Sequence, residues 1–152
     1  MIQRIQTIFI FISFVLSLLL IFLPFAEILV GAQIYKYNAF SISLLSENNE
    51  IITHTYPIIS LIVILSLLLL LSILLYKKRL LQLRLCFISI MLSFGIYGIG
   101  YFYIYKISSE YETIINYSYT VIFPLISIVL LIMAMRSIKK DEKLIRSLDR
   151  IR

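Results

Sequence analysis

The chain has 152 residues, of which 61% are hydrophobic and only 14% are charged, and its formal net charge is +6. A soluble domain is about half apolar and about one quarter charged, so this composition excludes an ordinary water-soluble domain and indicates an integral membrane protein. The basic residues lie at the ends of apolar segments, as they do in membrane proteins, and this placement argues against nucleic-acid binding.

Four apolar segments predict transmembrane helices, because a spanning helix needs about 20 predominantly apolar residues. The predicted spans are residues 8–30, 57–76, 85–105 and 117–135. The apolar run Ile8–Phe25 is longer than the hydrophobic region of a signal peptide, and the residues after it make a poor cleavage site, so we expect a retained helix. The predicted fold class is an all-α membrane protein, a single domain built as a four-helix bundle.

The first outer loop, residues 31–55, has a pattern typical of strands. Residues 40–44 alternate between apolar and polar side chains, and residues 51–55 have the composition of a returning strand. Asn48 and Asn49 lie between them and predict the turn. We therefore expect a short β-hairpin that rests on the membrane surface against the helix ends, since an isolated hairpin is marginal in water.

The basic residues predict the orientation of the spans. Twelve of the fourteen lie before the first span, in the loop 77–84 or in the tail 136–152, whereas only Lys36 and Lys106 lie on the other side. Basic residues close to helix ends stay on the cytoplasmic side. Both termini, the loop 77–84 and the tail are therefore predicted to be cytoplasmic.

Pro124 lies inside the fourth predicted span. A helix that began at Val121 would have only about 15 residues left, which is short for a span. We therefore expect a helix that begins near Tyr117 and is kinked at Pro124.

The tail is expected to continue the fourth helix as an amphipathic segment. Leu144, Leu148 and Ile151 share one helical face. A basic amphipathic helix can lie on an anionic leaflet or dock on a partner, and the alternative is a solvated flank that only sets topology. The candidate contacts to a partner or to lipid are Arg4, Arg146, Asp149 and Arg150.

Small residues within the spans predict helix packing. The interiors of the spans contain no Asp, Glu, Lys, Arg or His, although transporters usually carry such groups at that depth. Glu27 lies at the outer end of the first span and is expected to reach water or Lys36. Serine and glycine let helices approach closely, and a substrate path is the alternative. The candidate packing residues are Ser13, Ser17, Ser89, Ser93, Gly95 and Gly98.

The outer side is rich in tyrosine, which is typical of an interfacial aromatic belt. The alternative is a stacking platform for a sugar or a quinone. The residues concerned are Tyr35, Tyr37, Tyr56, Tyr101, Tyr103, Tyr105, Tyr111, Tyr117 and Tyr119. His54 is the single histidine, and no second histidine is present to form a metal site or a catalytic triad with it. We therefore predict no catalytic residue, no cofactor and no metal.

The first and last residues of the sequence resemble those of a known bacterial family. Residues 1–7 read MIQRIQT and residues 140–152 read KDEKLIRSLDRIR. These strings and the four-span layout are similar to the domain of unknown function 4293 family. The resemblance implies a small multi-pass protein of the inner membrane of a Gram-negative bacterium, without an assigned activity.

Three hypotheses for the function follow. The first is a non-enzymatic accessory or scaffold subunit whose cytoplasmic surface, formed by the two distinctive strings, contacts a membrane-protein partner or a second copy within the bilayer. The second is a transporter or channel component that acts as an oligomer, based on the serine and glycine faces. The third is a lipid- or quinone-handling enzyme, based on Glu27 and the outer tyrosines.

Overall fold

A computed structural model describes the backbone of residues 3–31, 33–45, 51–76, 78–110 and 113–149, and their side chains except those of residues 3, 4, 51, 52, 110 and 144–149. The helices are α1 (Gln3–Phe22), α2 (Tyr56–Leu74), α3 (Arg79–Glu110) and α4 (Phe123–Asp149), the last preceded by a 3-10 turn at Tyr119–Ile122. The strands are β1 (Ala26–Val30), β2 (Gln33–Tyr37), β3 (Ser41–Leu44), β4 (Ile51–His54) and β5 (Thr113–Tyr117).

The four helices form a bundle in which α1 and α3 each pack against both α2 and α4. Its core contains fully buried aliphatic side chains such as Ile10, Ile62 and Leu131. Large apolar side chains such as Leu67 and Leu125 are more than half exposed on its outside, which water would disfavour and lipid tails would not. All four helices are long and apolar enough to cross a membrane.

A five-stranded antiparallel sheet lies at one end of the bundle, with the strand order β4-β3-β2-β1-β5. We call this end, where α1 and α3 finish and α2 and α4 begin, the sheet end, and the opposite end the basic end. The predicted hairpin corresponds to β3 and β4, in which Ser41 pairs with His54. The turn predicted at Asn48 and Asn49 lies outside the described residues. The all-α expectation is therefore corrected: the molecule is mostly helical, but its sheet is much larger than one hairpin.

The first helix is shorter than predicted. It ends at Phe22, and Ala26–Val30 forms the central strand β1 rather than the last turns of a span. Pro24 explains the break, because proline lacks an N–H and disfavours a helical conformation at the residue before it. Glu27 consequently lies in a strand, where its Cα is paired with that of Lys36 on β2.

The fourth helix also differs from the prediction. Tyr117 belongs to β5, and α4 begins at Phe123, so Pro124 lies in the first turn, where its missing N–H breaks no helical hydrogen bond. The expected kink is therefore replaced by a helix start. From there α4 continues without a break to Asp149.

The remaining boundaries shift by a few residues. Helix α2 covers Tyr56–Leu74, close to the predicted 57–76. Helix α3 begins at Arg79, so most of the predicted loop 77–84 forms its first turns, and it continues to Glu110. Leu80 and Leu81 within that loop are good helix formers.

Candidate functional site

A cavity of about 160 Å³ lies at the sheet end, between the sheet and the adjoining parts of α2, α3 and α4. Five of its lining residues are aromatic and the others are apolar or glycine. They are Phe25, Tyr37, Ile58, Ile96, Tyr97, Gly100, Tyr101, Ile104, Tyr117, Val121 and Pro124. An apolar cavity of about 150 Å³ is known to bind benzene in another protein, so this space can hold one ring or a short apolar chain.

Tyr37 supplies the one buried side-chain polar atom of this lining that has no hydrogen-bond partner among the described residues. The residue is 1% exposed. A Cβ added to Gly100 would lie 3.9 Å from the Tyr37 hydroxyl, so the hydroxyl faces the α3 wall of the cavity. Leaving such a group unsatisfied costs about 1–3 kcal/mol, and a buried group of this kind calls for an explanation.

The sheet holds the Tyr37 ring in a defined position. Tyr37 is the last residue of β2, with its Cα paired to Ala26 on β1 and to Ile42 on β3. The backbone N–H of Phe25 donates to the Tyr37 carbonyl at 2.7 Å, and the two rings are tilted with their centres 5.5 Å apart. The hydroxyl is therefore preorganised before any ligand arrives.

The Tyr37 phenol is available as a donor. Burial raises its pKa above the usual value for tyrosine, and the neighbouring Tyr103 raises it further. The hydroxyl consequently keeps its proton at neutral pH. A ligand oxygen in the cavity would accept a hydrogen bond from it, which would remove the cost of the unpaired group.

Tyr97 lies on another wall of the cavity and has a different role. Its hydroxyl donates to the Val121 carbonyl at 2.6 Å and accepts from the Leu125 N–H at 3.1 Å. The first N–H groups of a helix have no partner within the helix, so Tyr97 supplies one for α4 just after Pro124. Tyr97 therefore joins α3 to the start of α4, whereas the Tyr37 hydroxyl has no partner in the described part of the chain.

The serines predicted to pack lie between the helices. Ser13, Ser17, Ser89 and Ser93 are each at most 1% exposed. The Ser17 hydroxyl lies 2.9 Å from that of Ser66 across α1 and α2, and the Ser93 hydroxyl donates to the Ser89 carbonyl at 2.9 Å within α3.

The two predicted packing glycines have different surroundings. A Cβ on Gly95 would lie 3.6 Å from Leu61 Cδ1, which is an ordinary contact between α3 and α2, whereas a Cβ on Gly98 would meet nothing within 4 Å. Gly95 therefore lies in a helix contact and Gly98 on the outside.

At the basic end, the Gln6 side-chain amide donates a hydrogen bond to the Asp141 carboxylate. Both side chains are buried, so the bond ties the beginning of α1 to α4 inside the bundle. Gln6 and Asp141 are not the contact residues predicted from the sequence. Those residues have side chains outside the part that the structure describes, and they are Arg4, Arg146, Asp149 and Arg150.

Sequence reasoning missed Gln6, Asp141, Phe25, Tyr97 and Gly100. A signal existed for Asp141, because it continues the helical face of the buried Ala134 and Ile138 at spacings of seven and three residues. No comparable signal marked the cavity wall, which is assembled from the sheet, α2, α3 and α4.

The outer tyrosines do not form a uniform belt. Tyr37 is buried and Tyr103 is half-buried, Tyr111 lies outside the described residues, and His54 stacks on the exposed Tyr56 with ring centres 4.9 Å apart.

Within the part of the chain that the structure describes, no three His, Cys, Asp or Glu side chains form a group that could hold a metal ion.

Comparison with known proteins identifies a family without supplying an activity. The model of the family described as Domain of unknown function (DUF4293) matches residues 2–151, which is essentially the whole chain. No curated protein matches it. The chain therefore belongs to the DUF4293 family.

Proposed function

We propose that this protein is a non-enzymatic protein of the bacterial inner membrane that binds a carbonyl-bearing amphiphile in the cavity at the sheet end. The observation that carries this proposal is the buried Tyr37 hydroxyl, which lines a mostly apolar cavity and has no hydrogen-bond partner among the described residues. A quinone ring or the ester region of a lipid combines an apolar body with an oxygen that accepts a hydrogen bond. Either would fill the space and satisfy the hydroxyl.

The position of the cavity supports a ligand that arrives from the bilayer. The positive-inside rule favours a cytoplasmic basic end, so the sheet end would lie on the periplasmic side. The cavity is lined by α3 and by the start of α4, both within segments long and apolar enough to span a membrane. An amphiphile in the outer leaflet could therefore enter laterally.

The chemistry of the lining supports binding without turnover. Among the described residues, the cavity lining includes tyrosines but no Asp, Glu, Lys, Arg or His. General acid–base catalysis usually relies on His, carboxylates or Lys, and Tyr97 is already bonded to the backbone of Val121 and Leu125. We therefore place the protein among ligand-binding accessory subunits rather than among quinone- or lipid-converting enzymes.

A binding titration tests the proposal. The chain has 11 tyrosines and no tryptophan, so a bound quinone can be followed by quenching of tyrosine fluorescence. The probes are a short-tailed benzoquinone and, by native mass spectrometry, a short-chain phosphatidylethanolamine. Tyr37→Phe should weaken binding of the true ligand class about three- to tenfold, which is the contribution of one hydrogen bond.

Tyr35→Phe is the matched control, because the Tyr35 hydroxyl lies on the same strand and donates to the exposed Gln33 side chain at 2.6 Å. This variant should bind as the natural chain does. The proposal fails if neither probe binds, or if binding is unchanged in Tyr37→Phe.

A second candidate function is a scaffold that presents the basic end to a cytoplasmic partner. It is supported by the Gln6–Asp141 hydrogen bond, which joins one residue of the string 1–7 to one residue of the string 140–152. Removing residues 144–152 would keep this bond and delete most of the second string. Mild-detergent purification followed by mass spectrometry should then lose the partner, and an unchanged set of co-purifying proteins would eliminate the scaffold function.

We do not extend the proposal to a transporter or channel. Its motivation was the serine faces of α1 and α3. The Ser13 and Ser17 hydroxyls of α1 contact Ser127 and Ser66 on neighbouring helices, and the Ser93 hydroxyl bonds within α3. None of the predicted packing serines lines the cavity.

A further inference from the structure

A second cavity, about 330 Å³ in volume, is an open groove between α3 and α4 toward the basic end. Its walls are Phe87 and Ile90 of α3 and Ile132, Met135, Arg136 and Lys139 of α4. The volume lies at the lower end of the range of about 300–1,000 Å³ that is usual for ligand pockets. The sheet-end cavity and this groove share no residue.

The groove changes from apolar to cationic along its length. On α4 the apolar Ile132 and Met135 come first, and Arg136 and Lys139 follow toward the basic end. Residues 132 to 139 rise by about 10 Å along the helix axis, at about 1.5 Å per residue. This order matches an amphiphile that has its chain toward the centre of the bilayer and its charged head toward the membrane surface.

The two cations are available to a ligand. Arg136 and Lys139 are exposed, and among the described residues no ion pair joins either of them to a carboxylate. Asp141 on the same helix is buried against α1 and accepts its hydrogen bond from Gln6. Helix α3 carries no acidic residue before Glu110, and Glu142 on α4 lies outside the groove and has an interaction of its own. The described residues that line the groove include two cations and no carboxylate, so the lining favours an anion.

We propose that this groove binds an anionic phospholipid from the leaflet around the basic end. The phosphate lies between Arg136 and Lys139, where a guanidinium can form two parallel hydrogen bonds to phosphate oxygens. One acyl chain lies over Phe87, Ile90, Ile132 and Met135. Basic pockets between membrane helices on the cytoplasmic side recognise lipid head groups in this way.

Lipid binding to the purified full chain tests this proposal. The protein in a neutral detergent is titrated with phosphatidylglycerol or phosphatidylcholine, and bound lipids are counted by native mass spectrometry. Phosphatidylglycerol should bind more tightly than phosphatidylcholine. The double variant Arg136→Gln/Lys139→Gln should weaken phosphatidylglycerol binding about 30-fold, at about fivefold for each basic residue.

The matched control is Lys140→Gln/Lys143→Gln, which removes the same charge from exposed positions of α4 that do not line the groove. It should retain binding. Equal losses in the two double variants would indicate a general charge effect and would overturn the proposal, as would equal binding of the two lipids.

The apolar part of the groove is tested separately. Ile132→Trp should obstruct the acyl chain and reduce phosphatidylglycerol binding without changing charge, whereas Met133→Trp, at an exposed neighbour outside the groove, should not. Millimolar inorganic phosphate should leave lipid binding unchanged. If free phosphate displaces the lipid fully, or if Ile132→Trp binds normally, the groove is not a lipid site.

Discussion

The amide of Gln6 on α1 donates a hydrogen bond to the carboxylate of Asp141 on α4, across 135 positions of sequence and inside the bundle. Helices α1 and α4 also meet nearer the middle of the bundle, where the Ser13 hydroxyl donates to the Ser127 carbonyl at 3.5 Å. The Gln6–Asp141 bond therefore defines the relative position of the two helices at the basic end.

Gln6→Leu should destabilise the protein by about 2 kcal/mol, because it leaves a buried carboxylate without its donor. The double variant Gln6→Leu/Asp141→Leu should recover most of this loss, since neither partner then remains buried and unpaired. Thermal unfolding in a single detergent, followed by circular dichroism, measures both. Purely additive effects of Gln6→Leu and Asp141→Leu would contradict an energetic role for the bond.

Removing the hydroxyl of Tyr37 and removing that of Tyr97 should change the stability of the protein in opposite directions. Tyr37→Phe should raise the stability of the ligand-free protein by about 1 kcal/mol. The substitution removes a buried hydroxyl that has no hydrogen-bond partner among the described residues, and so removes the cost of burying it. Tyr97→Phe should lower it by about 1–3 kcal/mol, because Val121 and Leu125 lose their partner. Denaturant titration compares the two, and a loss of stability in Tyr37→Phe would show that its hydroxyl is already bonded.

Filling the sheet-end cavity should abolish ligand binding without unfolding the protein. Gly100→Leu places a side chain in the space that faces Tyr37, whereas Gly98→Leu places the same side chain where a Cβ meets nothing within 4 Å. Both glycines are helical, so both variants should gain about 1 kcal/mol of helix propensity. The quinone titration should fail only for Gly100→Leu, and equal binding by both variants would place the ligand elsewhere.

The contact between α1 and α2 at Ser17 should not tolerate a larger side chain. Ser17→Val overfills a closely packed site and removes the 2.9 Å contact with Ser66, at an expected cost of about 1–3 kcal/mol. Ser60→Val is the control, because Ser60 is exposed on α2 and, among the described residues, its hydroxyl donates to the Pro57 carbonyl one turn earlier in its own helix. Ser60→Val should change stability by less than about 0.5 kcal/mol, and equal effects in the two variants would rule out tight packing at Ser17.

Some of the candidate site could be found from local sequence and some could not. The region 40–55 shows its strand pattern within a few residues, and β3 and β4 appear there. The sequence of residues 26–30 predicts a continuation of the apolar span. Its strand conformation depends on pairing with β2 and β5, which come from other parts of the chain. The composition of the outer side likewise predicts that Tyr37 belongs to an interfacial belt, whereas the structure buries it where β2 lies between β1 and β3.

The sequence by itself determined the four apolar helices and the charge asymmetry between the two ends of the bundle, because hydrophobic length and flanking charge are local properties. The tertiary structure decided where those helices end, how five strands pair above them and which polar groups are buried. Pro24 and Pro124 limit the helices, yet only the pairing of Ile28 with both Tyr35 and Ile115 makes β1 a central strand. Likewise, only long-range packing leaves the Tyr37 hydroxyl unpaired and gives Asp141 its partner Gln6, because a buried group's partner is chosen by folding rather than by its neighbours in sequence.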